Sequence, residues 1–111
     1  MNVRIILGDD FIRHFKRLSK KYKSLPKDYL SLSAALHDNP LLGTDLGNGV
    51  HKVRMAIGSK GKGKSGGARV LTLVILVRDD AEVTLLTIYD KNEIENVSDK
   101  YIEWLVNKAT E

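Results

Sequence analysis

The sequence predicts an α+β fold with a mainly antiparallel sheet and two N-terminal helices, in the order β-α-α-β-β-β-α. Three observations lead to this class. Two stretches with helical apolar spacing follow a short alternating stretch at the N-terminus, three strand-like stretches lie between residues 51 and 89, and a capped apolar stripe ends the chain. With 111 residues and no cysteine, we expect one domain over residues 1–111 that needs no disulfide.

The first strand and helix follow from residues 2–22. Residues 2–7 place Val3, Ile5 and Leu7 on one side, as a half-buried strand does, and Asp9 is a suitable helix N-cap. Apolar residues then recur at helical spacing: Phe11, Phe15, Leu18 and Tyr22. The other side of this helix is basic, which is typical of a solvated surface but also suits RNA, and we predict RNA contacts for Arg17 and Lys20.

The second helix is predicted from Pro26, which suits a first helical turn, to a stop at Asn39 and Pro40. Residues 41–49 contain three glycines and are expected to form a surface loop.

Residues 51–57 alternate again, so Lys52 and Arg54 share one face, about 7 Å apart at ~3.3 Å per residue. Residues 70–77 are apolar except for Thr72 and predict a central strand. A turn at residues 79–80 and a strand over residues 82–89 complete a hairpin. Ser98 is the expected cap of the last helix, and we expect the helices to cover one face of the sheet.

The charge of the chain is segregated. The formal net charge is +4, yet the segment from residue 52 to residue 69 holds six cations and no carboxylate. Carboxylates are concentrated after residue 78. This basic segment predicts an anionic partner, namely a nucleic-acid backbone.

A glycine–lysine loop covers residues 58–67 and is expected to be flexible, with RNA contacts from Lys60, Lys62 and Lys64. Its letters GSKGKGKS match the spacing of a nucleotide-binding P-loop, but a strand rather than a helix follows, which excludes that interpretation. The three histidines lie in separate segments, so no metal site is predicted, and no cofactor is expected.

Phosphodiester cleavage in RNA is the chemistry that best suits the basic segment. It requires a base for the 2′-hydroxyl, cations for the anionic transition state and an acid for the leaving oxygen. The candidate catalytic residues are Lys52, Arg54, Arg69, Tyr89 and Lys91. Arg69 is the best phosphate clamp because a guanidinium binds phosphate oxygens in pairs.

Whether Tyr89 shares a face with Arg69 is left open by the sequence. A two-residue turn at residues 79–80 would pair Val70 with Tyr89 and turn Arg69 away from it. An odd-length turn or a β-bulge would restore a common face. Tyr89 suits packing at the end of a strand equally well.

Four stretches resemble one known family: FIRHFKRLSKKYKSL, DNPLLGTDLGNGVHKVRMAI, GKGKSGGARV and LLTIYDKNE. They are similar to the RelE/ParE superfamily of toxins from bacterial type II toxin–antitoxin pairs, and most of all to the RelE- and HigB-like messenger-RNA interferases. The resemblance implies a cytoplasmic, metal-independent endoribonuclease that cuts mRNA in the ribosomal A site and inhibits translation. It implies a cognate antitoxin, the ribosome and mRNA as partners, and neither a membrane nor a small-molecule cofactor.

Matched by motif, the family's cation pair falls on Lys52 and Arg54, its phosphate clamp on Arg69, and its basic position at the end of the hairpin on Lys91. Two departures concern the acid and base: Tyr101 lies later than the family's tyrosine in the last helix, and Asn92 replaces a basic residue. Two alternatives share the fold, namely a ParE-like DNA gyrase inhibitor and a catalytically inactive module that binds RNA or antitoxin.

Overall fold

The computed structural model describes residues 1–61 and 63–111. Its helices and strands are β1 Val3–Leu7, α1 Asp9–Lys21, α2 Leu25–Asp38, β2 Thr44–Gly47, β3 Val50–Met55, a 3₁₀ helix Gly58–Lys60, β4 Ala68–Val77, β5 Asp80–Asp90 and α3 Asp99–Thr110. The predicted α+β class is confirmed. One strand more than predicted is present, because β2 lies inside the segment that was expected to be a loop. None of the helices in the described ranges is long and apolar enough to cross a membrane.

The five strands form one sheet in the order β1-β5-β4-β3-β2. β1 pairs with β5 in parallel, whereas the other neighbours are antiparallel. The predicted central position of β4 is therefore confirmed, and its residues from Ala68 to Val74 are buried. This sheet supplies the rigid surface on which the basic segment lies.

Helices cover both faces of the sheet, so the expectation of one covered face is wrong. α1 and α2 pack on one face through a cluster that includes Phe11, Leu18 and Val70. α3 packs on the other face, where Leu105 joins Leu71 in a second cluster. The physical reason is that β4 carries apolar side chains on both faces, and each face must exclude water.

The N-termini of α1 and α3 differ in how they are capped. Asp9 was expected to cap α1, but it is the first helical residue, and the cap position is held by Gly8 without a side-chain bond. The Gly8 N–H donates to the Leu85 carbonyl at 2.9 Å, and a Cβ there would lie 2.8 Å from the same oxygen, so only glycine fits. The predicted cap of α3 is confirmed, because Ser98 Oγ accepts from the Tyr101 N–H at 3.1 Å.

The β4–β5 hairpin has a two-residue turn and a β-bulge. Val77 pairs with Asp80, so the turn is Arg78–Asp79, one residue earlier than predicted. The backbone of Arg78 is left-handed, with φ 57°. Farther from the turn the register shifts, since Thr72 pairs with Leu85 but Leu71 pairs with Thr87. Because Leu86 is an extra residue in β5, every later side chain of β5 lies on the opposite face of the sheet from the one that it would occupy without the bulge.

Candidate nucleic-acid interface

The bulge brings three predicted site residues into one row across the sheet. Arg54 of β3 pairs with Arg69 of β4, and Arg69 pairs with Tyr89 of β5. Directly paired residues share a face, and neighbouring strands lie about 4.8 Å apart, so the row spans about 10 Å. Arg54 is exposed, whereas Arg69 and Tyr89 are buried.

Lys52 and Lys91 flank this row. Lys52 is two residues before Arg54 on the same face, and its Nζ lies 3.5 Å from Asn96 Oδ1. The N–H of Lys91 donates to the Gly67 carbonyl at 3.1 Å, which continues the β4–β5 pairing one step past Ala68 and Asp90. Strand alternation therefore carries the Lys91 side chain towards the face of Tyr89.

The guanidinium of Arg69 is held by backbone carbonyls. Its Nη1 donates to the carbonyls of Lys64 at 3.1 Å and Ala68 at 3.2 Å, and its Nη2 donates to that of Ser65 at 3.2 Å. Only 6% of Arg69 is exposed. All three acceptors are neutral, so these bonds orient the guanidinium without cancelling its charge.

Tyr89 lies beside Arg69 with its hydroxyl unpaired. The residue is 3% exposed and packs with Leu71 and Leu105, and no described residue accepts or donates at its hydroxyl. Burial raises the pKa of Tyr89, and the nearby Arg69 charge opposes this effect only in part. The phenol is therefore protonated at neutral pH, and its hydroxyl lacks the partner that a buried polar group normally has.

Lys60 lies on the opposite side of the sheet. Its Nζ donates to Asp90 Oδ1 at 2.6 Å and to the Gly66 carbonyl at 2.9 Å, and 7% of its side chain is exposed. Asp90 follows Tyr89 in β5 and so faces the other way, towards Tyr22 at the end of α1, whose hydroxyl donates to Asp90 Oδ2 at 2.5 Å. The Lys60 ammonium, which the sequence predicts to contact RNA, thus forms a buried ion pair with Asp90.

The carboxylate of Asp90 is fully buried and remains charged. Burial by itself raises its pKa, but hydrogen bonds from Lys60, Tyr22 and the Asn92 N–H outweigh burial, and the net effect is a lowered pKa. Lys21 Nζ lies 3.9 Å from the same carboxylate.

Residues 11–111 match the family model described as the RelE toxin of the RelE / RelB toxin-antitoxin system. The chain belongs to the RelE toxin family. It is therefore a toxin of a toxin–antitoxin pair, and its partner is a cognate antitoxin.

The other predicted RNA contacts of this RelE-family toxin differ in their availability. Lys64 is exposed and, with Arg54, lines a cavity of about 180 Å³ next to α2. Lys20 is exposed on α1. Arg17 is engaged with Glu93, at 3.2 Å from its carboxylate. Lys62 lies outside the described residues.

Two buried carboxylates near the sheet were missed by sequence reasoning. One is Asp90. The other is Asp10, which accepts hydrogen bonds from the Tyr101 hydroxyl, from Arg13 and, at 2.8 Å, from Thr87 Oγ1. Burial raises the pKa of Tyr101, and the bond to Asp10 raises it further. The only hint in the sequence is the position of Asp90 at the end of a long apolar stretch, a place where a carboxylate needs a partner.

Proposed function

We propose that this RelE-family toxin is an endoribonuclease that cleaves messenger RNA in the ribosomal A site and so inhibits translation. The observation that carries the proposal is the row of Arg54, Arg69 and Tyr89, with Lys52 and Lys91 beside it. Cations on adjacent strands suit binding of an RNA phosphate between two nucleotides, because each cation can reach a different oxygen of the same phosphate group.

In the proposed reaction the 2′-oxygen attacks the adjacent phosphorus and the bond to the 5′-oxygen breaks, which leaves a 2′,3′-cyclic phosphate. A base removes the 2′-hydroxyl proton, and an acid protonates the leaving 5′-oxygen. Lys52 and Lys91 are proposed for these proton transfers, since they flank the row from opposite ends. Arg54 and Arg69 stabilise the extra negative charge of the phosphorane.

Arg69 and Tyr89 can both gain from a bound phosphate. Hydrogen bonds between a guanidinium and an anionic oxygen are about twice as strong as those between neutral groups. Phosphate oxygens therefore compete well with the loop carbonyls for Arg69, and a phosphate oxygen that reached the Tyr89 hydroxyl, which is shielded from solvent in the free protein, would give it its missing acceptor.

The test is in vitro translation of a defined message with the wild-type protein, Arg54→Ala and a control, Arg78→Ala. Arg54 is exposed, so its loss should leave the fold intact, and we expect cleavage to fall by about 10²-fold. Arg78 lies in the exposed turn at the far end of β4, and its variant should cleave normally. Unchanged cleavage by Arg54→Ala would overturn the assignment of the site.

A module that binds RNA without cleaving it is the second candidate, favoured by the burial of Arg69 and Tyr89. It predicts binding that weakens steeply with salt and no cyclic-phosphate product. Recovery of RNA ends bearing a 2′,3′-cyclic phosphate separates the two candidates. DNA damage in place of translation arrest would instead indicate a gyrase inhibitor.

A further inference from the structure

A chain of short contacts links the far side of the sheet to the loop in front of Arg69. Asp90 Oδ1 accepts from Lys60 Nζ at 2.6 Å, and the same ammonium donates to the Gly66 carbonyl at 2.9 Å. We call Asp90, Lys60 and the Gly66 carbonyl the loop clamp. The clamp also contacts the residue that follows α1, because Lys60 Nζ lies 5.3 Å from the centre of the Tyr22 ring.

The loop clamp ends one peptide away from the groups that hold Arg69. The carbonyls of Lys64 and Ser65 accept from the Arg69 guanidinium, and the next carbonyl, that of Gly66, accepts from Lys60. Three consecutive carbonyls are thus pinned by two buried cations. If Lys60 released Gly66, the Ser65 carbonyl would lose its neighbouring anchor, and the guanidinium would lose orientation.

Lys60 itself is anchored independently of Arg69. The N–H of Ser59 donates to Ser24 Oγ at 2.8 Å, and the N–H of Ser24 donates to Ser59 Oγ at 3.0 Å. The Gly58 N–H donates to Asp28 Oδ2 at 3.0 Å. The start of the glycine–lysine loop is therefore fastened to the N-terminal end of α2.

We propose that Lys60 and Asp90 are positioning residues, which hold the loop carbonyls against Arg69 and so fix its guanidinium for an RNA phosphate. This inference rests on the proposed function. It gives Lys60 a role through Arg69 in place of the direct phosphate contact that the sequence suggested. The inference also implies that Asp90, a buried carboxylate, strengthens the binding of anionic RNA.

The direction in which RNA affinity changes when the Asp90 carboxylate is removed makes the proposal testable. By electrostatics alone, removing a carboxylate from a basic protein strengthens its attraction for RNA. Loss of positioning acts in the other direction. Asp90→Asn should therefore weaken RNA binding, by about tenfold if one hydrogen bond to a charged group is lost, while Glu93→Gln should bind RNA as tightly as the wild type or more tightly.

The experiment measures the Kd for a single-stranded RNA at one salt concentration, in the wild-type background and in Arg69→Ala. We expect Asp90→Asn and Lys60→Met to weaken binding in the wild-type background. In the Arg69→Ala background Asp90→Asn should not weaken it, because the group being positioned is absent. Equal weakening in both backgrounds, or tighter binding by Asp90→Asn in the wild-type background, would overturn the proposal. If Asp90→Asn fails to fold, as judged by its thermal unfolding midpoint, ¹⁵N NMR of the Arg69 side chain in Lys60→Met decides, because removal of a cation weakens RNA binding whether or not that cation positions Arg69.

A second readout needs no RNA. The side-chain N–H groups of Arg69, observed by ¹⁵N NMR, should exchange slowly with water in the wild type and in Glu93→Gln, and rapidly in Lys60→Met. Slow exchange retained in Lys60→Met would overturn the positioning role and leave the proposed function standing. Fast exchange in that variant, together with a wild type that neither binds nor cleaves RNA, would support the positioning of Arg69 and overturn the proposed function.

Discussion

Gly67 joins the glycine–lysine loop to β4 at a point where two backbones nearly touch. A Cβ on Gly67 would lie 2.1 Å from the Met55 carbonyl oxygen, 3.0 Å from Ala56 Cα and 3.1 Å from the Ile57 nitrogen. Ordinary van der Waals contacts begin at 3.4 Å, so Gly67→Ala must separate the start of β4 from the end of β3 by more than 1 Å. The colliding atoms belong to the backbone, and no side-chain rotation can relieve them.

We expect Gly67→Ala to lower the free energy of unfolding by about 3 kcal/mol or more, the upper end of the usual cost of overpacking. The same substitution should impair RNA cleavage, because the Gly67 carbonyl accepts from the Lys91 N–H and Arg69 is two residues away. Urea denaturation followed by fluorescence of Trp104 measures the first effect, and cleavage of a message during translation measures the second.

Gly61→Ala is the matched control. Unlike Gly67, Gly61 has no atom within 4 Å of the position that a Cβ would take, but its φ of 67° strains any other residue, by about 1–2 kcal/mol. It should therefore be destabilised less than Gly67→Ala and should keep its cleavage activity. A Gly67→Ala protein as stable as the Gly61→Ala protein would refute the close approach of β3 and β4 at this point.

The remaining predictions concern single groups. Folding lowers the pKa of Asp90, so its contribution to stability is complete above the unfolded pKa of about 3.9 and is lost as the pH falls through the lower folded pKa. The free energy of unfolding, measured against pH, should therefore fall less in acid for Asp90→Asn than for the wild type. Tyr89→Phe removes an unpaired buried hydroxyl and should raise the unfolding free energy by about 1 kcal/mol while it slows RNA cleavage; lower stability would indicate an unseen partner. Arg54→Ala should reduce the slope of log K against log salt for single-stranded RNA by about 0.7, and an unchanged slope would remove Arg54 from the phosphate contacts. Ser98→Ala should cost about 1 kcal/mol in chemical denaturation, and no cost would contradict its role as the α3 cap.

Local patterns in the sequence were enough to predict most of the framework. The spacing of Phe11 and Leu18 predicts the buried side of α1, and the alternation in β3 predicts that Lys52 and Arg54 lie together opposite the buried Val53. These patterns succeed because helix and strand periodicities depend only on neighbouring residues. The short strand β2 was missed because all of its residues are exposed, so it has no apolar alternation to detect.

The arrangement of the site depended on features that sequence patterns do not contain. The bulge at Leu86 places Arg69 and Tyr89 on the same face of the sheet, yet the surrounding sequence VTLLTI contains no glycine to mark a bulge. The pairing of Lys60 with Asp90 joins residues thirty positions apart, and a lysine in a glycine-rich loop looks exposed until the fold buries it. Long-range contacts of this kind are set by how β4, β5 and α1 meet.

The central claim is that the face carrying Arg54, Arg69 and Tyr89 cleaves RNA on the ribosome. Its most direct test is to map the ends of a defined message after incubation of translating ribosomes with the wild-type protein and with Arg54→Ala. We predict cuts within the A-site codon that leave a 2′,3′-cyclic phosphate with the wild type and that are nearly absent with Arg54→Ala. An intact message with the wild type, or equal cleavage by the two proteins, would contradict the claim.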